Sequence, residues 1–170
     1  IEEFVRRSVA AAEGITESFE IVIVDDGSPD ESLAIAVGLA EVDSRIKVVE
    51  LSRNFGHHRA LMTGLDHAVG ALCFLIDSDL EEAPELLGEF WQRRVESGMD
   101  VIYGYQAERA GDLQRRLSGA IAYWLFRVLI PYEIPRNHIT VRLMTRPYVD
   151  ALLMHKEQMT AIGGLWVITG

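Results

Sequence analysis

The chain has 170 residues, 49% of them hydrophobic and 25% charged, which is enough apolar material for one sizeable core. Against 16 Lys and Arg stand 26 Asp and Glu, and the formal charge of −10 repels a phosphate backbone, so nucleic acid is not an expected partner. The single cysteine excludes an internal disulfide, and no apolar stretch reaches the ~18–20 residues that span a bilayer.

Residues 1–13 place Phe4, Val5, Val9 and Ala12 on one side of a helix. The run Phe19–Val24 is apolar, rich in β-branched residues and followed by Asp25-Asp26, so it reads as a buried strand. Ser28-Pro29-Asp30-Glu31 predicts the start of a helix, with Ser28 as N-cap and Glu31 completing a capping box. A strand at Ile46–Leu51 and a helix over 56–69 follow. Ala71–Ile76 is a third apolar strand, with Cys73 a buried thiol, and it too ends in aspartates. Residues 84–96 repeat Leu86, Leu87, Phe90, Trp91 and Val95 at helical spacing. Val101–Tyr105 reads as a fourth strand, about 112–130 as a long helix, and Thr140–Thr145 as a further strand, after which Pro147 opens a last helix. This alternation predicts an α/β sheet with helices on both faces. Ligands of such sheets bind at the rim formed by the carboxyl ends of the strands.

Three segments fall on that rim. Asp77 and Asp79 of Asp77-Ser78-Asp79 are two hard-oxygen donors just past a buried strand. A divalent cation would relieve their repulsion and bridge to a diphosphate. The plainer reading is an acidic turn before a helix opened by Glu81 and Glu82. In Asp25-Asp26-Gly27-Ser28 a carboxylate can accept from a base or a ribose, while Gly27 admits a close backbone approach. Arg53-Asn54-Phe55-Gly56-His57-His58-Arg59 supplies donors for a base or a phosphate, or else a solvated helix entry. Away from these, Arg109, Arg115 and Arg116 are either a phosphate-binding patch or a solvated helix face. Neither a GxGxxG fingerprint nor a Walker A sequence is present.

Taken together, IVIVDDGSPDES, LSRNFGHHRALMTGLDHAVG, CFLIDSDLEEAPELL and VRLMTRPYVDAL resemble glycosyltransferase family 2, in order and in spacing. The nearer branch holds dolichyl-phosphate mannosyltransferase and bacterial polyprenyl-phosphate or lipopolysaccharide glycosyltransferases. The resemblance implies a GT-A fold: a Rossmann-like, mostly parallel sheet with helices on both faces. It also implies inverting transfer from a UDP- or GDP-linked sugar to a lipid-phosphate or glycan acceptor, with Mg²⁺ or Mn²⁺ as cofactor. By position, Asp25, Asp26, Gly27, Arg53 and Asp77 are implied to bind the nucleotide, and Asp79 with Asp77 the metal. Arg109, Arg116 and Ser118 fall at acceptor-phosphate positions, and Arg142 matches an arginine near the reaction centre.

The chain departs from the family in several places. Thr140 stands where many relatives have an aspartate, which leaves Glu157 as the substitute candidate for a catalytic base. His57 stands where relatives often have lysine. The family's opening strand, which lies in the middle of the sheet, is lacking. Residues 1–170 therefore read as a single GT-A catalytic domain and as a fragment truncated at both ends. The full-length protein is expected in the cytoplasm, at the cytoplasmic face of a membrane. A non-catalytic nucleotide-binding domain on the same fold and a nucleotidyltransferase are the alternatives.

Overall fold

The apolar run that closes on Asp25 forms β1 (Ile21–Asp25), which pairs in parallel with β2 (Ile46–Glu50). The computed structural model describes residues 1–105, 138–155 and 162–169. A parallel pair requires a crossover, here the helix α2 (Ser32–Val42). This helix starts later than its sequence predicts, and Ser28 is not its N-cap. The Asp25 carboxylate accepts the N–H groups of Gly27 and Ser28, at 3.1 and 3.2 Å, and the Asp30 carboxylate accepts that of Ser32 at 3.0 Å. Such local acceptors offer the backbone an alternative to a first helical turn. The chain therefore stays irregular until Ser32.

A first helix, α1 (Glu2–Glu13), buries Phe4 and Val5 against Ile46, with Ile21, Ile23, Ile76 and Leu80 bordering the cluster. Arg7 ties this helix to the start of α4 (Leu86–Ser97) through two bonds to the Glu85 carboxylate, at 2.8 and 2.6 Å.

β3 (Leu72–Leu75) and β4 (Val101–Tyr105) both pair antiparallel with β5 (His138–Thr145), in the order β3-β5-β4. β3 and β4 thus run in the same direction, and β5 is the reversed strand between them. Its side chains alternate between two cores. Val141 and Leu143 pack with Phe90 of α4. On the other face Met144 packs with Leu65 of α3 (His57–His67), with Tyr148, Val149 and Leu152 of α5 (Arg146–Leu153), and with Leu165 of α6 (Ile162–Thr169). A strand buried on both faces between two helical layers is the expected α/β arrangement.

Among the described residues the strands hydrogen-bond as two sets, β1-β2 and β3-β5-β4. The helix expected over 112–130 lies outside the described residues. Helix α6 was not expected, because its sequence is apolar on every side and lacks an amphipathic period. No helix of the described residues is long and apolar enough to cross a membrane.

Candidate active site

β1 and β2 end side by side, and the segments that follow them are bound together. Asp25 is buried, and its carboxylate turns the chain by holding Gly27 and Ser28. Asp26 reaches instead to the loop after β2. One of its oxygens accepts the Phe55 N–H at 2.7 Å, and the other accepts the Gly56 N–H at 2.8 Å. Gly27, at φ +73°, lies so close to this loop that a Cβ would stand 2.8 Å from the Asn54 nitrogen and 3.0 Å from the Arg53 carbonyl carbon. The Arg53 guanidinium lies 4.6 Å above the Phe55 ring, a cation–π contact that steers it along the loop.

The loop then enters α3 at His57. The His57 Nε2 stands 3.8 Å from an Asp77 oxygen, past the end of β3. This contact joins the third rim segment to the other two. In that segment Asp79 accepts the N–H of Glu81 at 2.9 Å. Leu80 takes φ 64°, a conformation that costs a branched side chain of order 1–3 kcal/mol. Its side chain packs at the edge of the α1 core, which holds the turn in place. Burial first, then the Asp77, Asp79 and Glu81 carboxylates, push the Glu82 carboxyl above its ordinary range.

Among the described residues, no group of three or more His, Cys, Asp or Glu is placed to hold a metal alone. Asp77 and Asp79 nevertheless suit Mg²⁺ or Mn²⁺, since such ions are commonly held by one or two carboxylates and completed by substrate phosphates.

Arg142 sits on β5 opposite Leu75 of β3 and Tyr103 of β4. It is 3% exposed. Its Nε and Nη2 donate to the carbonyls of Thr140 and Ile139, at 3.0 and 3.1 Å, and the Trp166 ring centroid lies 3.0 Å from its Cζ. Burial lowers its pKa to about 10, so it remains a cation at neutral pH. Arg109, Arg116, Ser118 and Glu157 lie outside the described residues. The sequence reads Glu82 only as part of a helix start, yet the helix begins at Leu86, and it gives Trp166 no role. Glu82 carries a signal, three residues after Asp79 where a turn brings it back, whereas nothing in the sequence links Trp166 to Arg142.

The family model "Glycosyl transferase family 2" matches residues 2–153. A protein of Mycobacterium tuberculosis (strain CDC 1551 / Oshkosh) described as a glycosyltransferase is 50% identical over 168 residues, 99% of this chain and 49% of that protein. The Bacillus subtilis (strain 168) glycosyltransferase YkcC is 33% identical, over 98% of this chain and 52% of its own length. An undecaprenyl-phosphate 4-deoxy-4-formamido-L-arabinose transferase of Salmonella enteritidis PT4 (strain P125109) is 32% identical, over 94% of this chain and 49% of its own length. The chain thus spans about half the length of these relatives. In fold it is similar to the crystal structure of S. aureus TarS 1-349, with a TM-score of 0.61 at 17% identity, covering 99% of this chain and 51% of that one.

Proposed function

The chain belongs to glycosyltransferase family 2, and from that premise we propose that it carries the donor site of an inverting sugar transferase that uses a UDP- or GDP-linked sugar. The observation that carries this reading is the meeting of three strand-end segments, through Asp26 with Phe55 and Gly56 and through His57 with Asp77. Asp25, Gly27 and Arg53 form the nucleotide side, with Asp26 holding the loop between them. Asp77 and Asp79 form the diphosphate side and would hold Mg²⁺ or Mn²⁺. A cation bound there supplies charge neutralisation for the departing diphosphate.

The transfer breaks the bond between the anomeric carbon and the diphosphate, whose oxygen keeps the electron pair. An acceptor oxygen forms the new bond from the opposite face. A lipid-phosphate acceptor is the favoured class. Its support is the undecaprenyl-phosphate transferase among the relatives, together with Thr140, which cannot act as a carboxylate base. A phosphate oxygen is already anionic and needs no base, whereas a glycan hydroxyl would. Glu157 is the proposed base for a glycan acceptor, and Arg109, Arg116 and Ser118 are the proposed contacts of an acceptor phosphate. Arg142 adds a fixed positive charge near the reacting groups. A lipid acceptor places the whole protein at the cytoplasmic face of a membrane.

The test is turnover of UDP- and GDP-sugars by a full-length protein with and without EDTA, beside Asp79→Asn. Loss of turnover in both supports the reading. Full activity in EDTA and in the variant removes the metal assignment, and failure to bind any nucleotide removes the donor site.

A further inference from the structure

The two carboxylates that follow β1 do different work. Asp25 binds its own turn, two and three residues on. Asp26 crosses to residues 29 and 30 positions away, one oxygen to each of two successive backbone N–H groups. Those groups lie at the entry to α3, where a helix leaves donors without intrahelical partners and favours negative charge. No side chain caps α3. A charge-assisted bond of this kind is roughly twice as strong as a neutral one, and Asp26 makes two. Beside the clamp, the backbone at Gly27 packs directly on the backbone of Arg53 and Asn54. Immediately after it, His57 meets Asp77.

We propose that Asp26 is a positioning residue, whose carboxylate fixes the loop after β2 so that His57 faces Asp77 and Arg53 stays against Phe55, and that it acts through this loop rather than by touching the nucleotide. The second half rests on the donor-site reading above, because it takes Asp77 to be part of that site. Both oxygens of Asp26 are engaged before any ligand arrives. Asp26 is therefore a fixed strut between two rim segments.

Amide hydrogen exchange of the full-length protein, with neither nucleotide nor metal, tests the clamp. In Asp26→Ala the Phe55 and Gly56 amides should exchange at least about tenfold faster, while those of β5 stay protected. Asp26→Asn should fall between, because asparagine keeps one acceptor oxygen but turns an NH₂ group toward the other donor. It also serves if the alanine variant does not fold. The His57 ring resonances should shift in both variants as the imidazole leaves Asp77, a signature that loss of an unrelated structural contact would not produce. Unchanged exchange at Phe55 and Gly56 overturns the proposal.

The route of action is tested by calorimetry with UDP and GDP in the presence of Mn²⁺. Asp26→Asn should weaken binding about tenfold in the wild-type background and have no further effect in a chain already carrying Arg53→Ala and His57→Ala. An equal loss in both backgrounds means direct contact with the nucleotide and overturns the proposal. If the wild-type chain binds neither nucleotide, the donor-site reading fails and the route through Asp77 fails with it. The clamp is still decided by exchange, which needs no ligand.

Discussion

His57 faces Asp77 at 3.8 Å, beyond hydrogen-bond length, with half of the imidazole open to solvent. An exposed pair of this kind contributes at most about 1 kcal/mol to folding. Its consequence lies in what else can enter the gap. The imidazole borders the carboxylate proposed to face a diphosphate. His57→Ala should therefore leave Tm within about 4 °C of the parent while weakening UDP or GDP by about tenfold. UMP or GMP, which lack the second phosphate, should bind unchanged. Equal weakening of mono- and diphosphates would remove His57 from the diphosphate side.

Gly27 and Gly38 make a matched pair for a second test. Gly38 lies inside α2, with open space where a Cβ would go. Alanine there should raise stability by about 0.5–1 kcal/mol through helix propensity. At Gly27 the left-handed backbone alone costs alanine about 1–2 kcal/mol. The 2.8 Å approach to the Asn54 nitrogen adds to this, since backbone cannot yield as a side-chain tip does. Thermal melts should place Gly27→Ala at least about 3 °C below the parent and Gly38→Ala above it. A Gly27→Ala protein that melts with the parent would mean the two loops are not packed together.

Much of this fold is legible in the sequence. Val101–Tyr105 forms a strand with the bounds read from the sequence, and most other element ends shift by only a residue or two. What periodicity does not carry is direction and partnership. The Thr140–Thr145 run reads equally well as a parallel or an antiparallel strand, and only its neighbours β3 and β4 reveal that it is reversed. The capping pattern at Ser28 is genuine chemistry, but Asp25 captures the Ser28 N–H first. The rim positions of Asp25, Asp26, Asp77 and Asp79 could be read because each follows an apolar strand. The particular bonds of Asp26 could not, since its acceptors serve donors about thirty residues away.

Glu82 gives a pH-dependent test of the acidic segment. Its folded-state pKa is raised, by burial and then by Asp77, Asp79 and Glu81. A carboxyl raised in this way binds its proton more tightly folded than unfolded. Its protonated form therefore favours folding at low pH, and that advantage is lost as pH rises through the folded pKa. At neutral pH the ionised group is a net cost. Glu82→Gln should accordingly raise Tm at pH 7 in EDTA, and the gain should fade as pH drops toward the ordinary carboxylate range near 4. Saturating Mn²⁺ should shrink the gain at pH 7, because a cation on Asp77 and Asp79 offsets the same repulsion. A gain that persists at pH 4 would trace to packing rather than to charge.

Arg142 allows stability and activity to be separated. A guanidinium 3% exposed, with burial holding its pKa near 10, has given up its hydration. Among the described residues it regains two carbonyl bonds and the face of Trp166, but no carboxylate. A buried charge without a counter-charge costs free energy, and a side chain kept for folding alone would do better as a hydrocarbon of similar length. Arg142→Met retains the stem and the contact with the ring while removing the charge. Melting should show a Tm equal to or above that of the parent. Turnover should fall about a hundredfold, or ~3 kcal/mol, if the charge stabilises the departing diphosphate or an incoming phosphate. Arg142→Lys would restore the charge without the planar fork and should recover only part of the rate. If Tm and turnover fell together in the methionine variant, the two carbonyl bonds would be the reason Arg142 is there, and its place near the chemistry would be a matter of packing.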